Sequence, residues 1–388
     1  MNHTILDNPP SVMYQKKYVS IHSEDRDISK YQNSAEFIVE VPEDITNVSS
    51  MRLVNWFFPS NYNTFSELNS NVTLTFKLTA IFDPSGVVSD DSIEKAIFSC
   101  LDASKNEYFY TIKIEDGFYN PEQIVVVLTN KMNESVTERI QTYLKALPIP
   151  NTLLTQFDAS GGYTNFRVVY NKISQKIWFG NVMDGFSLMN NDVMTKPRNR
   201  LPDSVNWGLP NNLGFAKGET KSVAKSGQFF RFYYGDVLNV GDNGYWLMPP
   251  LAPSVYHDAS CNYIEAPNKI NIMGPSYFYM ELEGHNCIDE TSPFYLNNYT
   301  RHTNETNGRV NSSFAKIAIP STPITQFFER DSAPVKIYSP PLERIRKLKI
   351  RLRYHDGEVV NFGLFNYSFM LELDIVQPIT INKNLRHY

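Results

Sequence analysis

Apolar residues alternate with polar ones along much of the chain, a pattern typical of half-buried β-strands. Runs with this two-residue period cover residues 17–22, 37–41, 72–80 and 108–114. Residues 48–58 are apolar on both faces, as expected for a strand inside a β-sandwich. These segments predict a mainly antiparallel β fold.

One segment follows a helical period instead. Pro121 fits the first position of a helix that Asn120 caps, and Gln123 completes the spacing of a capping box. We therefore predict a helix over residues 121–146, ended by the prolines at positions 148 and 150. Its apolar stripe recurs every fourth residue and consists of Ile124, Leu128, Met132, Val136, Ile140 and Leu144.

The most regular alternation lies near the C-terminus. Apolar residues at positions 348, 350, 352 and 354 share one face of a strand, and basic residues from 347 to 353 share the other. An Asp-Gly turn follows at positions 356–357, and residues 365–375 return in alternation. The pattern predicts a long antiparallel hairpin that buries one face.

Periodicity weakens at the start of the chain and again over a long central stretch. A structureless loop of that length is abnormal in a compact domain, so we expect short strands within it. The predicted fold class is all-β, a jelly-roll-like β-sandwich with one amphipathic helix and a long irregular insertion. We expect an extended arm over 1–16, a first part of the sandwich over 17–183, the insertion over 184–275, closing strands over 276–380 and a tail over 381–388.

Composition narrows the class of protein. Aromatic residues make up 13% of the 388 residues, which favours strands and buried interfaces. The net charge of −5 argues against a surface that wraps nucleic acid. The three cysteines form no CxxC pair, so neither a disulfide framework nor a zinc site is predicted. Without a signal-peptide pattern or a long apolar run, we expect a soluble protein made in the cytoplasm.

No constellation of catalytic residues emerges. The seven histidines are scattered without metal-binding spacing, and no serine lies in a GxSxG elbow. We predict no enzymatic activity, no catalytic residue, no cofactor and no metal site. The acidic turn over residues 23–27 fits a cation site, but we favour a strand-ending turn held by Asx bonds and an ion pair of Arg26.

The basic strand face, defined as Lys347, Lys349, Arg351 and Arg353, has three interpretations. It is a solvated outer face, a docking surface for an acidic protein partner, or a contact for nucleic acid. The last is disfavoured because no aromatic side chains interleave with the cations. The candidate partner-interface residues are these four together with Pro9 and Pro10 of the N-terminal arm.

Several ordered blocks resemble the minor capsid proteins of nucleocytoplasmic large DNA viruses. At the N-terminal end they are a strand, the acidic turn with Arg26, Tyr-x-Asn at 31–33, Val-x-x-x-Arg-Leu-Val at 48–54 and Pro-x-x-Tyr-Asn at 59–63. At the C-terminal end they are YFYMELEGHNCIDET from 277, FAKIAIPS from 314 and YSPPLERIRKLKIRLRYHDGEVVNFGLFNYSFMLEL from 338. The similarity brackets residues 17–65 and 277–376.

This resemblance implies a jelly-roll-like protein of an icosahedral capsid shell, in a virion assembled in the host cytoplasm. Its partners would be major capsid protein trimers, other minor capsid proteins and inner-membrane-associated virion proteins, without nucleic acid and without catalytic residues. Three alternatives stay open. The first is a carbohydrate- or receptor-binding β-sandwich on the virion exterior. The second is an enzyme on a β-sandwich, which requires carboxylates or histidines that converge in one cleft. The third is a nucleic-acid binder that uses the basic strand face.

Overall fold

The structure is a computed structural model. It describes residues 12–59, 64–67, 69–84, 86, 92–102, 107–147, 152–190, 207–226, 260–291, 311–319, 326–327, 334–355 and 357–378. The chain divides into two compact units. Unit 1 combines Met1–Tyr62 with Pro275–Tyr388, and unit 2 is the segment Asn63–Gly274 between them. This division differs from the predicted one, in which the first part of the sandwich ran to residue 183.

Strands dominate the described residues, and four α-helices accompany them. The helices are α1 Ile93–Leu101, α2 Pro121–Ala146, α3 Thr152–Ala159 and α4 Leu209–Asn212, with a 3-10 turn at Ser23–Asp25. The strands are β1 Val12–His22, β2 Glu36–Pro59, β3 Thr73–Ala80, β4 Tyr110–Lys113, β5 Phe166–Asn171, β6 Lys176–Asn181, β7 Gly185–Asn190, β8 Gly218–Lys221, β9 Val223–Ser226, β10 Ser260–Glu265, β11 Tyr277–Leu282, β12 Ile288–Glu290, β13 Asn311–Ser313, β14 Ala315–Ala318, β15 Gln326–Phe327, β16 Val335–Arg353 and β17 Ser368–Pro378.

Unit 1 is built on an antiparallel sheet with the order β1-β17-β2-β16-β11-β14, to which β15 adds beside β2. β2 is 24 residues long and lies between β17 and β16, with shifts of register along both pairings. Alternate side chains of these strands point into one apolar core, as the two-residue period of a strand requires. Its buried aromatic members include Phe37, Trp56, Phe58, Phe278, Phe314 and Phe369.

The predicted C-terminal hairpin is wrong. β16 and β17 are not neighbours in the sheet, because β2 lies between them and pairs with both. Among the described residues after β16, Arg353 and Val359 form a short bridge, and the chain then continues through a loop to β17. Strands that are consecutive in sequence are usually, but not always, neighbours in a sheet. Alternation alone does not identify the neighbour of a strand.

Unit 2 contains two four-stranded antiparallel sheets, ordered β4-β3-β7-β8 and β5-β6-β10-β9. Side chains of both sheets meet in one core. Phe166 of β5 contacts Phe76 of β3 and Phe186 of β7, with ring centroids 5.1 and 5.2 Å apart. The two sheets therefore form a sandwich in which the aromatic rings interlock edge to face.

Helix α2 covers this core with its apolar stripe and has the predicted bounds. All six residues of the stripe are buried. The capping box is present, since the Asn120 side chain accepts from Gln123 N at 2.7 Å and Gln123 Oε1 accepts from Asn120 N at 3.0 Å. Asn133 on α2 bonds both the N–H and the carbonyl of Phe166. This contact satisfies backbone groups at the edge of β5 and fixes the helix on the sheet.

The predicted fold class is confirmed, because the described strands pair antiparallel around apolar cores with an amphipathic helix packed on one of them. Three features differ from the detailed expectation. Residues 12–16 of the expected arm belong to β1, which pairs with β17 along its length. The expected insertion contributes β7 to the interior of one sheet and β10 to the interior of the other. Helices α1, α3 and α4 lack the long periodic stripe that made α2 recognisable.

Candidate interaction surfaces

The basic strand face lies along β16, where its first two cations meet carboxylates nearby. Lys347 Nζ is 3.0 Å from Glu40 Oε1 on β2, and Lys349 Nζ is 2.6 Å from Glu283 Oε2 just after β11. The hydrogen bond from Lys347 holds the pKa of Glu40 below its usual range. Exposed pairs of this kind contribute little to stability. This part of the face is therefore a row of compensated charges rather than a free cationic surface.

Arg353 differs from the lysines because only 5% of its side chain is exposed. Its guanidinium donates to Glu290 through Nη2 at 2.6 Å and Nη1 at 3.1 Å, and Nε donates to Glu281. Burial alone lowers the pKa of Arg353, but the two carboxylates outweigh it and raise the pKa. Arg351 lies 3.9 Å from Glu281 Oε2 and is partly exposed. Arg353 thus ties β16 to β11 and β12 from inside and is closed to a partner.

Arg26 organises the acidic turn that follows β1. Its guanidinium donates to two backbone carbonyls of its own loop at 2.6 and 3.0 Å and to Asn366 Oδ1 at 3.1 Å. The carboxylate of Asp27 accepts from the backbone N–H and the hydroxyl of Ser29. The predicted Asx bonds are confirmed, whereas Arg26 bonds carbonyl and amide oxygens instead of the expected carboxylate.

The two loops that meet at Arg26 come from distant parts of the chain. Ser23 N donates to Tyr367 O at 2.8 Å, and Tyr367 N donates to Ser23 Oγ at 2.9 Å. The Tyr367 hydroxyl donates to Ser34 O at 2.9 Å. Burial raises the pKa of Tyr367 well above its ordinary value, so the phenol stays a neutral donor. These bonds hold the loop before β17 rigidly against the loop after β1.

This junction carries an apolar turn that faces water. Phe365 N donates to Phe362 O at 3.2 Å, and Asn361 Oδ1 accepts from Gly363 N at 2.9 Å. Gly363 has a φ of +61°, as the first central residue of a primed turn requires. Phe362 is buried in the core of unit 1, whereas Leu364 is 99% exposed and Phe365 is 50% exposed. We call Gly363, Leu364 and Phe365 the exposed turn.

Alternation alone hid this feature. Because residues 365–375 are apolar at every second position, the alternation predicts a strand that begins at Phe365, whereas β17 begins at Ser368. A turn signal is present in the sequence, since Gly363 stands between Asn361 and Asn366. The exposure of Leu364 follows only from the packing of the neighbouring loops.

A second surface lies on the outer side of the sheet of unit 1. Pairing places Tyr18, Glu372, Arg52 and Val335 in one row across β1, β17, β2 and β16. The Glu372 carboxylate is buried under long side chains and accepts from Lys16 at 2.8 Å, Tyr18 at 2.9 Å and Arg52 at 2.9 Å. Burial raises the pKa of Glu372, but the three donors lower it by more than burial raises it. The pKa of Glu372 therefore lies below its usual value. Tyr18 and Val335 remain exposed at the two ends of the row.

Unit 2 contains a cavity of about 340 Å³ beside α1 and α3. Its lining is mostly apolar and includes Ile81, Ile97 and Phe157. Asp184 is buried at the wall, where Oδ2 accepts from Tyr163 at 2.7 Å and Oδ1 accepts from a backbone N–H at 3.1 Å. Burial raises the pKa of Asp184. The volume is at the lower end of the range of small-ligand pockets, roughly 300–1,000 Å³.

The remaining candidates for chemistry lie apart from one another. Among the described residues, no three His, Cys, Asp or Glu side chains are grouped to hold a metal ion. Within the same residues, no helix has the length and apolar character needed to cross a membrane. Cys100 and Cys287 are free thiols whose pKa burial raises. Pro9 and Pro10 lie outside the described residues.

Comparisons with known proteins give only distant structural similarity. No protein-family model and no curated protein matches the chain. A crystal structure of the mavirus penton protein aligns with a TM-score of 0.36 and 8% identity, covering 95% of this chain and 100% of that one. A cryo-EM structure of the Sputnik virophage aligns with a TM-score of 0.36 and 13% identity, covering 94% and 98%.

Proposed function

We propose that this chain is a structural protein of a viral capsid, and specifically a minor capsid protein of a large icosahedral DNA virus. The single observation that carries the proposal is where the resembling blocks lie. The blocks over residues 17–65 and 277–376 are far apart in sequence, yet almost all of their residues belong to unit 1. A resemblance divided between two distant segments is supported when both segments build one compact body.

Contacts between the two groups of blocks support the same proposal. The acidic turn of the first block meets the loop before β17 through Arg26 and Asn366, and Ser23 exchanges two bonds with Tyr367. These residues are the parts of the two blocks that are least explained by β periodicity. Their role here is to hold the exposed turn in a fixed conformation.

In this proposal, unit 1 cements major capsid protein capsomers to one another and to the inner capsid layer. Large stable interfaces use aromatic residues and arginine heavily, and the exposed turn together with the Tyr18–Glu372–Arg52 row offers both. Other minor capsid proteins and inner-membrane-associated virion proteins are further partners in the shell of a virion assembled in the cytoplasm. The proposal involves no catalysis and no cofactor.

Cross-linking mass spectrometry on intact particles tests the proposal. Lys30 lies in the loop that Arg26 organises and is well exposed, so we expect it to link to the major capsid protein. The cross-links of Lys131, which lies on helix α2 of unit 2, are compared with those of Lys30 in the same particles. Links only to genome-packaging proteins would contradict the proposal. Strong labelling of Lys30 in intact particles by a reagent that does not penetrate the shell would instead favour the exterior receptor-binding protein.

A further inference from the structure

We propose that the unit 2 cavity binds a small ligand that joins an apolar body to a protonated amine. Such a site goes beyond the proposed function, and neither depends on the other. The chemistry of the wall points to this ligand, because one buried carboxylate lies among apolar side chains and no cation accompanies it in the described part of the wall.

The hydrogen bonds around Asp184 all run towards its carboxylate. Asn181 Oδ1 accepts from the backbone N–H groups of Met183 and Asp184 at 3.0 and 2.7 Å. Its Nδ2 therefore faces Tyr163 and donates to the phenol oxygen at 2.7 Å. The Tyr163 hydroxyl in turn donates its proton to Asp184 Oδ2 at 2.7 Å, and Phe82 N donates to Oδ1 at 3.1 Å. A carboxyl group placed to accept from every neighbour is arranged as an ionised carboxylate requires.

These donors solvate the charge of Asp184 but do not neutralise it. Asp184 is only 3% exposed, and burial raises its pKa because the charged form is removed from water. The described residues that line the cavity include no Lys, Arg or His, and Glu94 places a second, exposed carboxylate at the same cavity. A buried charge is costly until it is paired. An ammonium group in the cavity would supply the missing opposite charge.

The rest of the wall determines what carries the cation. It is mostly apolar and includes Ile81, Ile97 of α1 and Phe157 of α3. An inorganic cation needs several oxygen ligands, and no three His, Cys, Asp or Glu side chains of the described residues are grouped to hold one. The volume of about 340 Å³ suits a small organic ligand. An aryl or alkyl amine meets both conditions, since its ammonium group can donate to Asp184 while its body contacts the apolar wall.

Isothermal titration calorimetry on the purified full-length chain at pH 7 tests the proposal with three ligands that share a phenyl ring and differ in charge. They are 2-phenylethylamine, a cation, 2-phenylethanol, which is neutral, and phenylacetate, an anion. We expect 2-phenylethylamine to bind roughly ten-fold or more tightly than 2-phenylethanol, because hydrogen bonds between opposite charges are stronger than those with one neutral partner. Phenylacetate should bind most weakly of the three.

Three variants locate the binding. Asp184→Asn removes the charge at nearly constant size and should lower the affinity for 2-phenylethylamine to that for 2-phenylethanol. Asp158→Asn is the matched control, because Asp158 is an exposed residue of α3 that accepts from Gln141 and does not line the cavity. It should leave the affinity unchanged. Thr164→Trp narrows the cavity, since Thr164 lines it and is itself exposed, and should weaken the binding of the amine and the alcohol alike.

The proposal is overturned if 2-phenylethylamine does not bind, or if it binds no more tightly than 2-phenylethanol. Unchanged amine binding in a natively folded Asp184→Asn chain also overturns it. If circular dichroism shows that Asp184→Asn does not fold, the three ligands on the natural chain and the Thr164→Trp variant decide the question, because amine binding that survives Thr164→Trp lies outside the cavity. None of these results changes the cross-links that test the capsid function.

Discussion

Replacing Arg353 by methionine tests whether the buried cation of the basic strand face contributes much more to stability than its exposed cations. Arg353→Met keeps the aliphatic stem and removes the charge that faces Glu290, whose side chain is only 2% exposed. Removing one partner of a buried ion pair costs about 3–5 kcal/mol.

The loss of stability in Arg353→Met should therefore be about 3–5 kcal/mol. Glu281 also loses a partner, but it is partly exposed and regains water. Removing the second buried carboxylate as well, in Arg353→Met with Glu290→Gln, should restore much of the stability.

Urea unfolding, monitored by hydrogen exchange of peptides from β11, β12 and β16, measures the loss of stability within unit 1 alone. Lys347→Met is the matched control, because its pair with Glu40 is exposed on both sides and should contribute little to stability. Equal small losses for the two variants would refute the reasoning. So would a double variant, Arg353→Met with Glu290→Gln, that is no more stable than Arg353→Met alone.

Two further variants test the packing of unit 2 and the outer surface of unit 1. Gly214→Ala should lower the melting temperature in calorimetry well beyond Gly161→Ala. Both positions have positive φ, which costs an alanine roughly 1–2 kcal/mol. At Gly214 an added Cβ would also collide with the backbone oxygen of Asn268, whereas at Gly161 it would meet open space. Equal shifts would count against this packing. The pKa of Glu372 lies below its ordinary value of 4.5, so its contribution is complete above pH 4.5 and is lost as the pH falls through the lowered pKa. Glu372→Gln should therefore show a shallower acid-side loss of stability in urea titrations, and parallel curves for variant and natural chain would disprove it.

Local features of the fold were predictable because they depend on near neighbours in sequence. Helix α2 has the predicted bounds, since its capping box and its four-residue stripe use only contacts within the helix. Apolar residues alternate over 166–170 and 177–179 on either side of a polar turn near Asn171 and Lys172, and β5 and β6 pair there as a hairpin. The buried faces of β2 and β16 likewise follow from the two-residue period.

The site was only partly predictable. Lys347 and Arg353 stand in the same alternating row of one strand, and nothing in that row distinguishes them. The difference arises because β11 and β12 cover one end of β16 and bring Glu281 and Glu290 to Arg353. Burial at a strand end is a property of the neighbours, which come from distant parts of the chain.

From the sequence alone one obtains strands with an apolar and a polar face, one capped helix, and turns rich in glycine and asparagine. Tertiary structure alone decided that β2 separates β16 from β17, that the central stretch completes a sandwich, and that Leu364 remains in water. The two groups of features differ in how far apart in sequence the interacting residues are. Backbone period and capping act over a few residues, whereas strand order, burial and charge compensation depend on which distant segments lower the free energy most by packing together.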